Sequence, residues 1–146
     1  MPAHNEEKII VKPLEALTKL PYENFEVLIG LDGCTDNTQK IVENFVKSNP
    51  KKFRYFLLNE RSGKPAIIDK LIEHATGEIV IIHDADWIFK VENKELLLEM
   101  ISWFDNPKIG GIAESFPIEF NKNLKNKSLA CNSIAWSHYF WYEFQK

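Results

Sequence analysis

Asp84 and Asp86 stand one residue apart, directly after the run Ile79-Val80-Ile81-Ile82-His83. Side chains at i and i+2 of an extended segment share a face. Two carboxylates held that way repel by roughly 4 kcal/mol at about 4 Å and an effective dielectric of about 20. A divalent cation relieves the repulsion, and hard oxygen donors suit Mg2+ or Mn2+. The plainer alternative is a strand end running into a polar turn. A second carboxylate, Asp32, follows the apolar segment Phe25-Glu26-Val27-Leu28-Ile29-Gly30-Leu31. It reads equally well as a turn aspartate, since Asp32-Gly33 is a turn signal. Arg61, Gly63 and Lys64 precede Pro65, which suits the first turn of a helix. Two cations beside free N–H groups at a helix start make an anion site, and a phosphate fits it. Taken alone, the same residues would more readily form a solvated basic turn. The spacing is not that of the Walker phosphate loop, and no Gly-x-Gly-x-x-Gly follows a strand.

These residues need strands and helices to hold them. Ile79–Ile82 is short, unbroken and β-branched, which predicts a strand buried on both faces. Phe25–Leu31 and Phe53–Leu58 predict two more strands. Ile9, Ile10, Leu14 and Leu17 recur at helical spacing. Asn5 is the expected N-cap of that helix, and Pro13 should kink it or delay its start. Ile41, Val42, Phe45 and Val46 mark a second helix, capped by Thr35 or Asp36 and ending near Pro50. Ala66, Ile67, Leu71, Ile72 and Ala75 carry a third helix to Gly77. A fourth is expected from about Glu92 to Phe104, with Leu96, Leu97, Met100, Ile101 and Phe104 on its buried face. Ile109–Ala113 is expected as a further strand, with Gly110-Gly111 allowing close backbone approach, and Phe116–Phe120 as an edge strand. Ser128–Lys146 reads as a terminal helix bearing Trp136, Tyr139, Phe140, Trp141, Tyr142 and Phe144 around its circumference. Either a partner or a membrane interface is expected to cover those rings, with packing on the sheet as the alternative. Strands alternating with helices give an α/β fold with a mostly parallel sheet flanked by helices. Ligands bind such sheets at the carboxyl ends of the strands, where Asp32, Asp84 and Asp86 fall.

The chain has 146 residues and a net charge of −3. That length predicts a single domain over 1–146. The charge gives no electrostatic case for nucleic-acid binding. Cys34 and Cys131 make no metal-site spacing and suit a reducing compartment. Neither a signal peptide nor a membrane-spanning run is seen. The expected location is the cytoplasm or the cytoplasmic face of a membrane.

In order along the chain, Pro2-Ala3-His4-Asn5-Glu6-Glu7, Asp32-Gly33-Cys34-Thr35-Asp36-Asn37-Thr38, Arg61-Ser62-Gly63-Lys64 and Gly77-Glu78 through Asp84-Ala85-Asp86 resemble the inverting family 2 glycosyltransferases of the GT-A fold. The resemblance runs from Met1 to about Ala113. It implies a nucleotide-diphosphate sugar donor, a UDP-sugar ahead of a GDP-sugar, and an acceptor of glycan or lipid type. Pro2, Ala3, His4, Asn5 and Glu6 would then line the base and ribose. Asp32 would accept a hydrogen bond from the base. Lys64, with Arg61 and Gly63, would meet the diphosphate. Asp84, Ala85 and Asp86 would lie at the ribose and metal, with Asp84 and Asp86 as ligands of Mn2+ or Mg2+.

The chain also departs from the family pattern. Family members have a hydrophobic strand ahead of the first motif, where this chain has Met1. Many have two aspartates where Leu31-Asp32 stands, and an asparagine where Asp69 stands. The family's general base lies beyond the donor half, and Glu114 and Glu143 do not sit in its motif. The expectation is therefore an incomplete GT-A domain: the donor-binding portion, without its first strand and its acceptor half. The Gly-Lys turn and the aromatic tail look more like membrane synthases than dolichyl-phosphate mannosyltransferases. Two other readings are a non-catalytic nucleotide-sugar-binding or assembly module, and a haloacid-dehalogenase-like phosphotransferase. Trp87 and Ile88 fit the latter poorly.

Overall fold

The computed structural model describes residues 1–89 and 94–112. They fall in two compact units that part after Trp103. In the first, a parallel sheet has the order β1-β2-β3, with β1 at Pro2–Ala3, β2 at Val27–Asp32 and β3 at Phe53–Leu58. Helix α1 spans Val11–Thr18, α2 Thr38–Ser48, α3 Lys64–Glu73 and α4 Lys94–Ser102.

Alternation along β2 sends Val27, Ile29 and Leu31 to one face. There they join Ile10, Leu14 and Leu17 from the first helical segment and Val42 from α2 in one core cluster. Phe53 closes this layer edge-on against Phe45, with ring centroids 5.2 Å apart. Gly30 looks the other way, onto α3. A Cβ there would lie 2.4 Å from Ile67 Cγ1, so the missing side chain is what lets α3 rest on the sheet.

Several expectations need correction. Asn5 does not cap α1. The helix starts after Ile10, and Pro13 falls in its first turn, where no intrahelical N–H is needed. The segment from Met1, read as beginning without a preceding strand, contains the two-residue strand β1, with Pro2 and Ala3 paired to Gly30 and Leu31. The predicted strand Ile79–Ile82 does not form, and Ile82 is 60% exposed. A strand needs a neighbour's backbone, and the sheet edge on that side is a two-residue β1 whose Pro2 has no N–H. The segment instead borders an open cavity of about 820 Å³, together with Met1, Phe25, Val27 and Leu71. His83 lies on its wall, packed edge-on against Phe89, and neither ring nitrogen has a hydrogen-bond partner among the described residues.

In α4, Leu97 is buried but Met100 is 42% exposed, against expectation. Of the second unit, residues 104–112 are described. Residues 109–112 form no strand, and among the described residues nothing lies within 4 Å of a Cβ placed on Gly110 or Gly111. Residues 113–146, with the expected edge strand, Glu114, Cys131, the aromatic helix and Glu143, lie outside the described residues. No described helix is long and apolar enough to cross a membrane.

Candidate donor-binding site

At the carboxyl ends of the strands lies a cavity of about 210 Å³. Pro2, Ala3, His4, Glu6, Asp32, Arg61, Lys64, Asp84, Ala85 and Asp86 line it, joined by Ile67. Residues scattered over more than eighty positions of sequence thus meet in one place. Asn5 and Gly63 of the sequence-predicted set do not line it. Both do structural work beside it.

Asn5 belongs to a wall made of two loops. It has a left-handed backbone, with φ of 56°. Its Oδ1 accepts the Thr35 N–H at 2.8 Å, and its amide donates to Thr35 Oγ1 at 3.1 Å. The Glu6 N–H donates to Thr38 Oγ1 at 2.7 Å, and the Glu7 N–H to Asp36 Oδ2 at 3.1 Å. Asp36 Oδ1 accepts the Thr38 N–H at 2.9 Å, but the N-cap of α2 is Asn37, whose side chain makes no cap bond, so neither Thr35 nor Asp36 is the cap that was expected. Glu7 in return accepts both N–H groups of Asn37. Burial would raise the Asp36 carboxyl, but the bonds from Thr38 and Glu7 outweigh it and hold it below the usual carboxylate range.

Asp32 ends β2 at 4% exposure. Its Oδ1 accepts the Ser62 N–H at 2.6 Å and the Ser62 hydroxyl at 2.9 Å, and its Oδ2 accepts the Gly63 N–H at 2.8 Å. Burial alone would raise this carboxyl, and the Ser62 and Gly63 bonds more than reverse that, so it sits low. The free N–H groups expected at the start of α3 therefore include neither Ser62 nor Gly63. The negative charge facing that helix terminus is Asp32 itself. His4 Nδ1 lies 2.6 Å from the Asp32 carbonyl oxygen. Gly33, at φ 62°, packs so tightly on the next loop that a Cβ would stand 2.5 Å from the Arg61 nitrogen.

The acidic pair meets the basic turn directly. Lys64 Nζ lies 2.6 Å from Asp84 Oδ1. Ala85 is buried in the core, leaving Asp84 half-buried and Asp86 exposed at the rim. Burial raises the Glu6 carboxyl, and the charges of Asp86 and Asp36 push the same way, against His4. Among the described residues no cluster of three or more His, Cys, Asp or Glu forms a closed metal cage. Two carboxylates at an open rim suit a cation that keeps waters and takes ligand phosphate oxygens, as Mg2+ does. The donor set fits such an ion.

Sequence reasoning missed Ser62, which anchors Asp32, and Ile67, which lines the cavity. It also missed the cross-loop role of Thr35 and Thr38. Gly33 carried a usable signal, because a turn glycine also permits close approach of another backbone.

The family model described as Glycosyl transferase family 2 matches residues 1–144. A poly-beta-1,6-N-acetyl-D-glucosamine synthase of Staphylococcus epidermidis is 27% identical over 136 residues, covering 93% of this chain and 31% of that protein. The structure of mannosyltransferase PcManGT from Pyrobaculum calidifontis in complex with GDP-Man and Mn2+ superposes with a TM-score of 0.66 at 28% identity. It covers 75% of this chain and 32% of that one. S. aureus TarS 1-349 in complex with UDP superposes with a TM-score of 0.61 at 28% identity, covering 79% and 36%. The chain thus spans about a third of the length of each of these proteins.

Proposed function

Because the chain belongs to glycosyl transferase family 2 and has the GT-A fold, we propose that it forms the donor site of a metal-dependent, inverting glycosyltransferase. The donor is a nucleotide-diphosphate sugar. The observation that carries this reading is the meeting of Asp84, Asp86, Lys64 and Arg61 around one cavity at the strand ends. At about 210 Å³, that cavity is smaller than the about 300–1,000 Å³ of whole-ligand pockets. It takes one part of the donor, and the paired cations beside the paired carboxylates support the diphosphate as that part. PcManGT was solved with GDP-Man and Mn2+ and TarS with UDP, which supports both the ligand class and the metal.

Each residue has a task in this reading. Asp84 and Asp86 hold Mn2+ or Mg2+ through carboxylate oxygens. Bound there, the cation supplies charge neutralisation for the departing nucleotide. Lys64 and Arg61 bring positive charge to the phosphate oxygens, which stabilises the same developing charge from the protein side. Pro2, Ala3 and His4 border the cavity and orient the nucleoside part. Inversion places the acceptor oxygen opposite the breaking bond to the diphosphate, and its proton passes to a base. We place that base outside the described residues. The rings of residues 128–146 suit a membrane interface at the cytoplasmic face.

Calorimetric titration of UDP and of GDP, with and without Mn2+, tests the reading on the chain and on Asp86→Ala. Metal-dependent binding of one nucleotide, abolished in Asp86→Ala, is the expected result. Binding indifferent to both metal and Asp86, or no binding of either nucleotide, overturns it.

A further inference from the structure

We propose that the outer edge of β3 is an interface with a second copy of this chain, formed by antiparallel strand pairing about a two-fold axis at Phe56. β3 pairs with β2 on one side, and among the described residues no strand pairs with its other side. The Val27 N–H donates to the Lys52 carbonyl at 2.7 Å, and the Gly33 N–H to the Leu58 carbonyl at 3.0 Å. Even-numbered residues therefore face β2, and alternation turns the N–H and C=O groups of Tyr55 and Leu57 outward. An open edge is a template for another strand, and proteins blunt such edges with proline or with free charges. β3, Phe-Arg-Tyr-Phe-Leu-Leu, has no proline. Its one charge, Arg54, is held within its own chain by Glu26 at 2.6 Å and the His74 carbonyl at 3.0 Å.

The residues along the edge select the occupant. Outward-facing residues must meet outward-facing residues, so the axis can pass through Tyr55, Phe56 or Leu57. With the axis at Phe56, Tyr55 of each copy lies opposite Leu57 of the other. These are the exposed large apolar side chains of the strand, at 37% and 40%, and opposite residues of an antiparallel pair share a face. The same register sets Lys52 of each copy opposite Glu60 of the other, so the two ends attract. An axis at Tyr55 or at Leu57 loses both matches. The edge is thus complementary to itself, as a two-fold interface requires. A strand edge is a small interface, so the dimer is a weak one, with a Kd expected at about 10–100 µM. Because the two β3 strands run in opposite directions, the cavities at their carboxyl ends open at opposite ends of the joined sheet.

Sedimentation equilibrium tests this on the wild-type chain, Lys52→Glu, Glu60→Lys and an equimolar mixture of the two variants. Wild type should dimerise. Each variant alone sets like charges opposite one another and should associate at least about tenfold more weakly. Glu60→Lys does so without removing Lys52 from the Phe25 ring, 4.3 Å away. The mixture should regain the dimer, because a Lys52→Glu chain meeting a Glu60→Lys chain restores both charge pairs. Amide hydrogen exchange gives a reading that needs no variant. The Tyr55 and Leu57 amides should slow by several-fold as wild-type concentration rises through the Kd, while Arg54 and Phe56 are held by β2 in either state.

A monomer at about 200 µM, or an assembly other than a dimer, overturns the proposal. So does association that both variants retain, or that mixing them does not restore. If a variant does not fold, exchange decides: rates at Tyr55 and Leu57 that ignore concentration overturn the proposal, and slowing confined to those amides upholds it.

Discussion

Lys64 Nζ sits 2.6 Å from Asp84 Oδ1, so the cation of the basic turn already neutralises one carboxylate of the acidic pair. The two side chains are about half exposed, at 55% and 43%. Exposed pairs of this kind are worth about 0–1 kcal/mol. The contact therefore matters less for folding than for how charge is shared at the site. In the proposed reading, Lys64 and a divalent cation would compete for Asp84, while both would attract phosphate oxygens.

This competition gives opposite expectations for two titrations of Lys64→Met. Mn2+ alone should bind about two- to fivefold tighter, because Asp84 is released from a contact of about 0.5–1 kcal/mol. UDP in the presence of Mn2+ should bind more weakly, because a phosphate-facing cation is gone. Calorimetry reads both, and a thermal melt should show almost no change. Weaker Mn2+ binding in this variant would show that Lys64 organises Asp84 instead of competing for it.

Glu26 is the second charge-based prediction. Its Oε1 accepts both the N–H and the hydroxyl of Thr76 at 2.7 Å, and its Oε2 meets Arg54 at 2.6 Å. Arg54 also donates to the His74 carbonyl at 3.0 Å, so the end of α3 is tied to the starts of β2 and β3. Burial works to raise the Glu26 carboxyl, and the Thr76 and Arg54 contacts pull it below its ordinary value. Asp32 and Asp36 are lowered in the same way. A carboxyl lowered on folding contributes stability that is complete above its unfolded value of about 4. That stability is lost as pH falls through the folded value. The urea midpoint should drop as pH is taken below about 4. Glu26→Gln should cost about 1–2 kcal/mol at neutral pH and make the acid side of the profile shallower. A parallel profile would remove Glu26 from the account.

Gly30→Ala tests the packing that brings Lys64 to the site. The new Cβ would meet Ile67 Cγ1 at 2.4 Å and Ile67 Cδ1 at 2.9 Å. Overpacking of this sort costs about 1–3 kcal/mol. Urea denaturation should show it, and Ile67→Val in the same chain should recover part of the loss, because the two sites are in contact. Strict additivity of the two substitutions would mean that α3 shifts instead of clashing.

The alternation of strands and helices was legible because β2 and β3 carry mostly apolar runs and Pro65 and Pro50 mark helix boundaries. The cavity's lining was legible because carboxyl ends of parallel strands converge on one side. The fate of Ile79–Ile82 was not. Its composition is that of a buried strand, yet pairing depends on what the adjacent edge offers, and two residues of β1 offer little. The Asn5 reading failed for a related reason. A side chain that can cap a helix can equally bond to a loop thirty residues away, and the local pattern is the same in both cases. The bonding of Asp32 to Ser62 and Gly63 is likewise a tertiary fact that no spacing encodes.

The wall formed by loops 4–7 and 34–38 is sewn mostly by side chains: Asn5, Glu7, Thr35, Asp36 and Thr38. Backbone ladders are indifferent to residue identity, but these stitches are not. Substitutions among five positions could therefore reshape one side of the pocket while the sheet beneath stays as it is. The scaffold and the contour of the site can drift separately under selection, which lets one fold accommodate different donors through small changes in two loops.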